Sequence, residues 1–244
     1  MRREAGTTLI EVLIAVTLLS LLSVGMVTAM RVGLLAFSKT DNKLMENRRV
    51  AGAQRILEEQ LEGMMPVVAA CGDAPGATPA KTAFFEGQPQ TIRLVSTFSL
   101  QQGWRGQPQI LELFVIPGEE DRGVRLVVNE IPYTGPAGTA RLCMGRTRDP
   151  QTGGTIAMFA PVQAGPNSFV LADKLAYCRF SYFTIPIDSK LPPHWTPNWD
   201  ISGWPFAVRI EMAPLDPDPS RLQPITVTAP IHLHRSPGIQ YVDY

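Results

Sequence analysis

Between Gly6 and Met30 the sequence reads GTTLIEVLIAVTLLSLLSVGMVTAM, and its only charged residue is Glu11. An acid near the centre of a bilayer costs about 3 kcal/mol on insertion scales, so a carboxylate in such a run marks a functional position. Other residues that could do chemistry are scattered. His232 and His234 alternate on an expected strand and would share a face, but no third metal ligand accompanies them. Asp216 and Asp218 in LDPDPS could donate carboxylates to calcium, yet Pro217 and Pro219 favour a rigid turn. Trp195, Trp199 and Trp204 crowd one Pro-rich stretch, which suits either a partner surface or a loop plugging its own sheet, the commoner outcome. Phosphate-binding glycine loops, nucleophile elbows, H-E-x-x-H and C-x-x-C spacings are absent. These residues form no catalytic cluster, and the expectation is a non-enzyme without metal or cofactor.

The elements around Glu11 follow from patterning. A run of about 20 apolar residues rising 1.5 Å each crosses a hydrocarbon core of about 30 Å. A leader of six residues, MRREAG, precedes it, much shorter than a secretory signal, and the small residue stands before the apolar run instead of after it. Beyond Met30, apolar positions recur at Leu34, Phe37, Leu44, Met45, Ile56, Leu57, Leu61, Met64 and Met65 with charges between them, a helix with one buried stripe. One helix is therefore expected from about Thr7 to Met64, ended by Pro66 and about 85 Å long at 1.5 Å per residue. Its halves are a span over 7–30 and an amphipathic continuation over 31–65.

The remaining residues, 66–244, are rich in Pro and Gly, which number 22 and 20 in the whole chain, and suit a sheet-and-loop domain. Residues 71–91 read as a loop and 134–167 as irregular. Strands are expected at 92–97, 110–116, 124–130, 175–185, 206–213 and 225–233. GQPQ occurs at Gly87–Gln90 and again at Gly106–Gln109, and both copies read as turns. In the strand over 175–185, Cys178, Phe180 and Tyr182 share a face opposite Tyr177, Arg179 and Ser181. One face is thus covered, with the amphipathic helix as the cover. Formal charge is zero, which leaves no electrostatic footprint for nucleic acid. Of three cysteines, Cys178 falls in a strand and Cys71 and Cys143 in loops. This favours a Cys71–Cys143 disulfide, although connectivity stays open from sequence alone.

The basic leader, the glycine and T-L-I-E-V in one register resemble the prepilin signal of type IV pilins and of the pseudopilins of type II secretion. That resemblance implies cleavage after Gly6 by a prepilin peptidase, methylation of Thr7 as the new N-terminus, and Glu11 as fifth mature residue. Thr7 stands where phenylalanine is usual. Farther on, FEGQPQTIRLVS, FVLADKLAYCRFSYF, WTPNWD and GWPFAVRIEM resemble the J-type minor pseudopilin. The K-type subunit usually lacks the glutamate. The resemblance implies a pilin-like α+β fold, a long N-terminal helix on an antiparallel sheet. It also implies I-type and K-type partners, the major pseudopilin and the inner-membrane assembly platform. Arg2 and Arg3 favour a cytoplasmic N-terminus, while Arg31, Lys39, Lys43, Arg48 and Arg49 beyond the span make local charge counting ambiguous. The leader motif then puts the domain in the periplasm, anchored by a single pass in the bacterial inner membrane. A minor pilin that primes a type IV pilus shares every leader feature, and an anchored periplasmic enzyme would need the polar cluster not found.

Overall fold

A computed structural model describes residues 9–72, 80–100, 104–149, 152–186, 191–215 and 224–232, with side chains of 35–51, 104 and 105 left aside. Gly6, Thr7, Asp216, Asp218 and His234 lie outside the described residues. Two compact units divide the chain, Met1–Arg48 and Arg49–Tyr244. The first contains the start of helix α1 (Leu9–Glu62), of which Leu9–Leu34 is long and apolar enough to cross a membrane.

In the second unit, α1 stops at Glu62, before the expected Met64. The Gly63 amide closes the last turn on the Glu59 carbonyl at 3.0 Å, and the Gly63 carbonyl accepts from the Thr97 amide at 2.9 Å. Met64 and Met65 are thereby drawn into a strand, β1 (Met64–Met65), opposite Ser96 and Val95. A sheet ladder takes over where the helix was expected to continue.

The remaining strands are β2 (Val68–Cys71), β3 (Ala80–Ala83), β4 (Glu86–Gly87), β5 (Thr91–Ser99), β6 (Trp104–Pro117), β7 (Val124–Pro132), β8 (Cys143–Arg148), β9 (Thr155–Phe159), β10 (Phe169–Thr184), β11 (His194–Thr196), β12 (Ala207–Pro214) and β13 (Ile225–Pro230). The main sheet is antiparallel in the order β1-β5-β6-β7-β10-β12-β13, with β4 beside β5 and β11 beside β10; β2–β3 and β8–β9 are separate two-stranded ribbons. All six expected strands exist. The ribbons were not expected, since 71–91 and 134–167 are loop-like in composition and contain β3, β4, β8 and β9. Cys71 and Cys143 accordingly sit at strand ends. The second GQPQ also departs from expectation. The first copy turns between β4 and β5, with the Gln88 amide bonded to the Thr91 carbonyl at 2.8 Å. The second lies within β6, where Pro108 offers its carbonyl to the Tyr133 amide at 3.0 Å.

The period-2 alternation gives the sheet two faces of different character. One face joins Ile92, Leu94, Leu111, Leu113, Leu126, Val128, Cys178, Phe180, Tyr182, Val208, Ile210, Met212 and Val227 into one buried cluster. Ala53, Leu57 and Leu61 of α1 belong to that cluster, at the i, i+4, i+8 spacing of one helical stripe. A Leu buried this fully contributes about 1.5–3 kcal/mol relative to exposure. The opposite face is covered only in part. Over β5 and β6, Val95 and Ile110 pack with Val67, Ala69, Cys71, Phe84 and Ala157 of the ribbon region in a second cluster. Over β10 and β12 the same face carries Tyr177, Arg179, Ser181, Arg209 and Glu211, none fully buried.

Gly87 shows how tightly the first face is filled. A Cβ there would come within 2.6 Å of the Tyr182 ring and 2.8 Å of Trp199 Cβ, so only glycine fits.

Candidate functional site

Glu11 sits in the first turn of α1, where the helix dipole favours an acid. Every side chain described from Leu9 to Leu34 is exposed within the chain. The hydroxyls of this stretch are satisfied locally: Thr17 donates to the Ile14 carbonyl, Ser20 to Val16, Ser23 to Leu19, and Thr28 to both Val24 and Gly25, all at 2.8–2.9 Å. Such i−3 and i−4 bonds let polar side chains enter an apolar environment without a partner helix. Glu11 has no such recourse: among the described residues it has no hydrogen bond or ion pair, and an isolated carboxylate in hydrocarbon demands a cation from elsewhere. The segment therefore offers one unmet electrostatic need on an otherwise self-sufficient apolar rod.

In the domain, no group of three or more potential metal ligands exists among the described residues. His232 is exposed. The three tryptophans of the Pro-rich stretch separate. Trp199 and Trp204 join the helix-facing core; Trp199 meets Phe85 edge-on at 6.4 Å and donates its indole N–H to the Gly203 carbonyl at 3.1 Å. They plug their own sheet. Trp195 instead lies on the opposite face, 5.2 Å from Phe183 with the Arg209 guanidinium 3.8 Å above it.

Cys71 and Cys143 are joined by a disulfide with Cα atoms 5.6 Å apart, tying β2 to the start of β8. Cys178 is a buried free thiol, and burial pushes its pKa up to about 12, which makes it a packing residue and not a nucleophile. The Tyr182 phenol is likewise pushed up, by burial first and by the Glu86 charge second, while it donates to the Gln88 carbonyl at 2.9 Å.

Sequence reasoning missed a buried ionic cluster on the ribbon-covered face. Arg93 is 1% exposed. It bonds Glu112 at 2.9 Å, pairs closely with Glu86, donates to the Ala160 carbonyl at 2.8 Å and lies 5.0 Å from the centre of the Phe159 ring. Glu112 also accepts from Asn129 at 2.8 Å, and Asn129 bonds the Gln163 carbonyl at 3.0 Å. Burial raises the Glu86 carboxyl above its ordinary value, against the opposing pull of Arg93. A signal did exist: TIRLV and ILELFV each carry one charge in an apolar strand, of opposite sign, and the register sets Arg93 against Glu112. The cluster moors the segment after β9 to the sheet. A second pin is Asp149, almost fully buried, which accepts from the Ser202 amide at 2.9 Å.

Residues 1–27 match the family model of the prokaryotic N-terminal methylation motif. A comparison with curated proteins finds no match. Proteins with this motif are structural and not enzymatic. The match covers Glu11 and most of the apolar run, and the rest of the chain has the α+β architecture of pilin-like proteins. Motif, span and fold together support a type IV pilin-like protein, pilin or pseudopilin, held by one N-terminal apolar helix.

Proposed function

We propose that the chain is a minor pseudopilin of a type II secretion system, cut after Gly6 by prepilin peptidase, methylated on Thr7 and polymerised through its N-terminal helix. In this reading the domain faces the periplasm, meets the I-type and K-type subunits at the filament tip and primes assembly with the major pseudopilin on the inner-membrane platform. The observation that carries the reading is Glu11, which has no partner among the described residues, while the hydroxyls of Thr17, Ser20, Ser23 and Thr28 beside it are satisfied within the helix. Cleavage would create an amine at Thr7 that is equally ill placed in an apolar filament core. The carboxylate of the same or a neighbouring helix pairs with it. Breaking a buried pair from one side costs about 3–5 kcal/mol, enough to set helix register during assembly. The distal-half motifs favour the secretion branch over the pilus branch.

Two measurements test this. Intact mass of the chain coexpressed with its peptidase is expected to show loss of residues 1–6 and one added methyl; an intact leader, or cleavage beyond Met30, overturns the prepilin reading. Glu11→Ala is expected to be cleaved and inserted normally, since removing a charge eases insertion, yet to leave secretion substrates inside the cell while pili persist. Normal secretion together with normal pili in that variant defeats the pairing, and loss of pili with intact secretion moves the chain to the pilus branch.

A further inference from the structure

On the half of the sheet face that the ribbons leave open, two arginines are mounted on aromatic rings. In register, Arg209 lies opposite Ser181 and Phe183 opposite Trp195. Because Ser181 is small, the Arg209 side chain crosses β10 above it and sets its guanidinium 3.8 Å over the Trp195 ring. Two residues along β10 from Ser181, Arg179 lies 5.4 Å from the centre of the Tyr177 ring. A ring beneath a guanidinium takes up its flat face and leaves the N–H donors pointing outward in its plane. Neither arginine has an ion pair among the described residues, and Arg209 Nε, itself buried, has no hydrogen-bond partner. Glu211 faces Arg179 in register but does not bond it. By contrast Arg125, lower on the same sheet, is held by Asp173 at 2.8 Å and by Glu119.

We infer that this Arg179–Arg209 platform is a docking surface for an acidic segment of a partner protein, whose carboxylates take the outward N–H edges. Charge complementarity selects the occupant: neither guanidinium is bonded to an acid among the described residues, and a planar fork matches a carboxylate two bonds at a time. Tyr, Trp and Arg together are the composition of binding hot spots. An anionic lipid surface fits less well, since such surfaces attract clusters of four to eight basic residues, and here two arginines share the face with Glu211. The platform takes from the assembly reading only that the partner is a protein, and its test is direct binding, so failure here leaves Glu11 and its role untouched.

The full chain in neutral phosphatidylcholine nanodiscs is titrated with a ten-residue glutamate peptide, with ten-residue glutamine as control, following tryptophan fluorescence. Saturable binding of the glutamate peptide alone is expected, weakened at least tenfold in Arg179→Ala/Arg209→Ala and nearly as much in Arg209→Lys, which keeps the charge but loses the fork. Glu211→Gln is expected to bind tighter. Ser181→Leu, which blocks the path of Arg209 while leaving its charge, is expected to weaken binding with an unchanged melting temperature. Equal binding by parent and double variant overturns the proposal. So does a response to vesicles of 30% phosphatidylglycerol with none to the peptide, which assigns the surface to lipid.

Discussion

The two halves of one sheet face treat the same residue type in opposite ways. Under the ribbons, Arg93 is sealed from water and has two carboxylates, a carbonyl and an aromatic ring. On the open half, Arg179 and Arg209 have rings but no bonded acid among the described residues. The difference follows from solvent. A guanidinium buried without acids would carry a desolvation cost of several kcal/mol, so the covered half must bring its own counter-charges. The open half can leave that to water or to another molecule. An internal ionic lock and an external receptor thus differ by whether a ribbon lies overhead.

The sharpest way to break this contrast is to remove the cations one at a time. Arg93→Met would leave Glu86 and Glu112 facing one another without a cation, and is expected to cost about 3–5 kcal/mol. Arg209→Met loses only a stacked, partly wet contact of about 0.5–1 kcal/mol. Urea titration of the detergent-solubilised chain, read by fluorescence, separates the two; equal losses would mean that the covered half is not electrostatically distinct.

A smaller effect lies in the pH dependence of the lock. The Glu86 carboxyl is raised above its ordinary 4.5 by burial, so the folded domain holds that proton more tightly than the unfolded chain. Its contribution to stability is therefore fully present below the unfolded carboxylate range and is lost as pH rises through the folded value. Glu86→Gln, which keeps a neutral side chain at all pH values, is expected to flatten the melting-temperature curve across that interval. An unchanged slope would show that Glu86 stays ionised throughout.

The smallest expected effect concerns Cys178 on the helix-facing side. With its thiol pushed up to about 12, it should resist iodoacetamide at pH 8 in the folded chain and react once urea exposes it. Rapid labelling of the native chain would mean that this face opens readily.

Much of this protein was legible from local pattern. The apolar run with its single acid is a property of consecutive residues and needs no fold to be seen. The six long strands follow from period-2 alternation, and Cys178, Phe180 and Tyr182 point to one face because a pleat leaves no choice. Tertiary structure decided the rest. GQPQ makes a turn at Gly87 and a strand at Gly106, because only the second copy lies between β5 and β7 in the growing ladder. Met64 and Met65 leave the helix because the Gly63 carbonyl meets the Thr97 amide, a contact across 34 residues that no window of sequence contains. The ribbons arise in segments whose composition reads as loop, since a strand of four to six residues gains its stability from the surface it covers. Arg93 and Arg209 each stand in an alternating strand. Which one would be locked inside and which left open depended on where residues 143–160 folded back, and that is settled by long-range packing, not by either strand's own pattern.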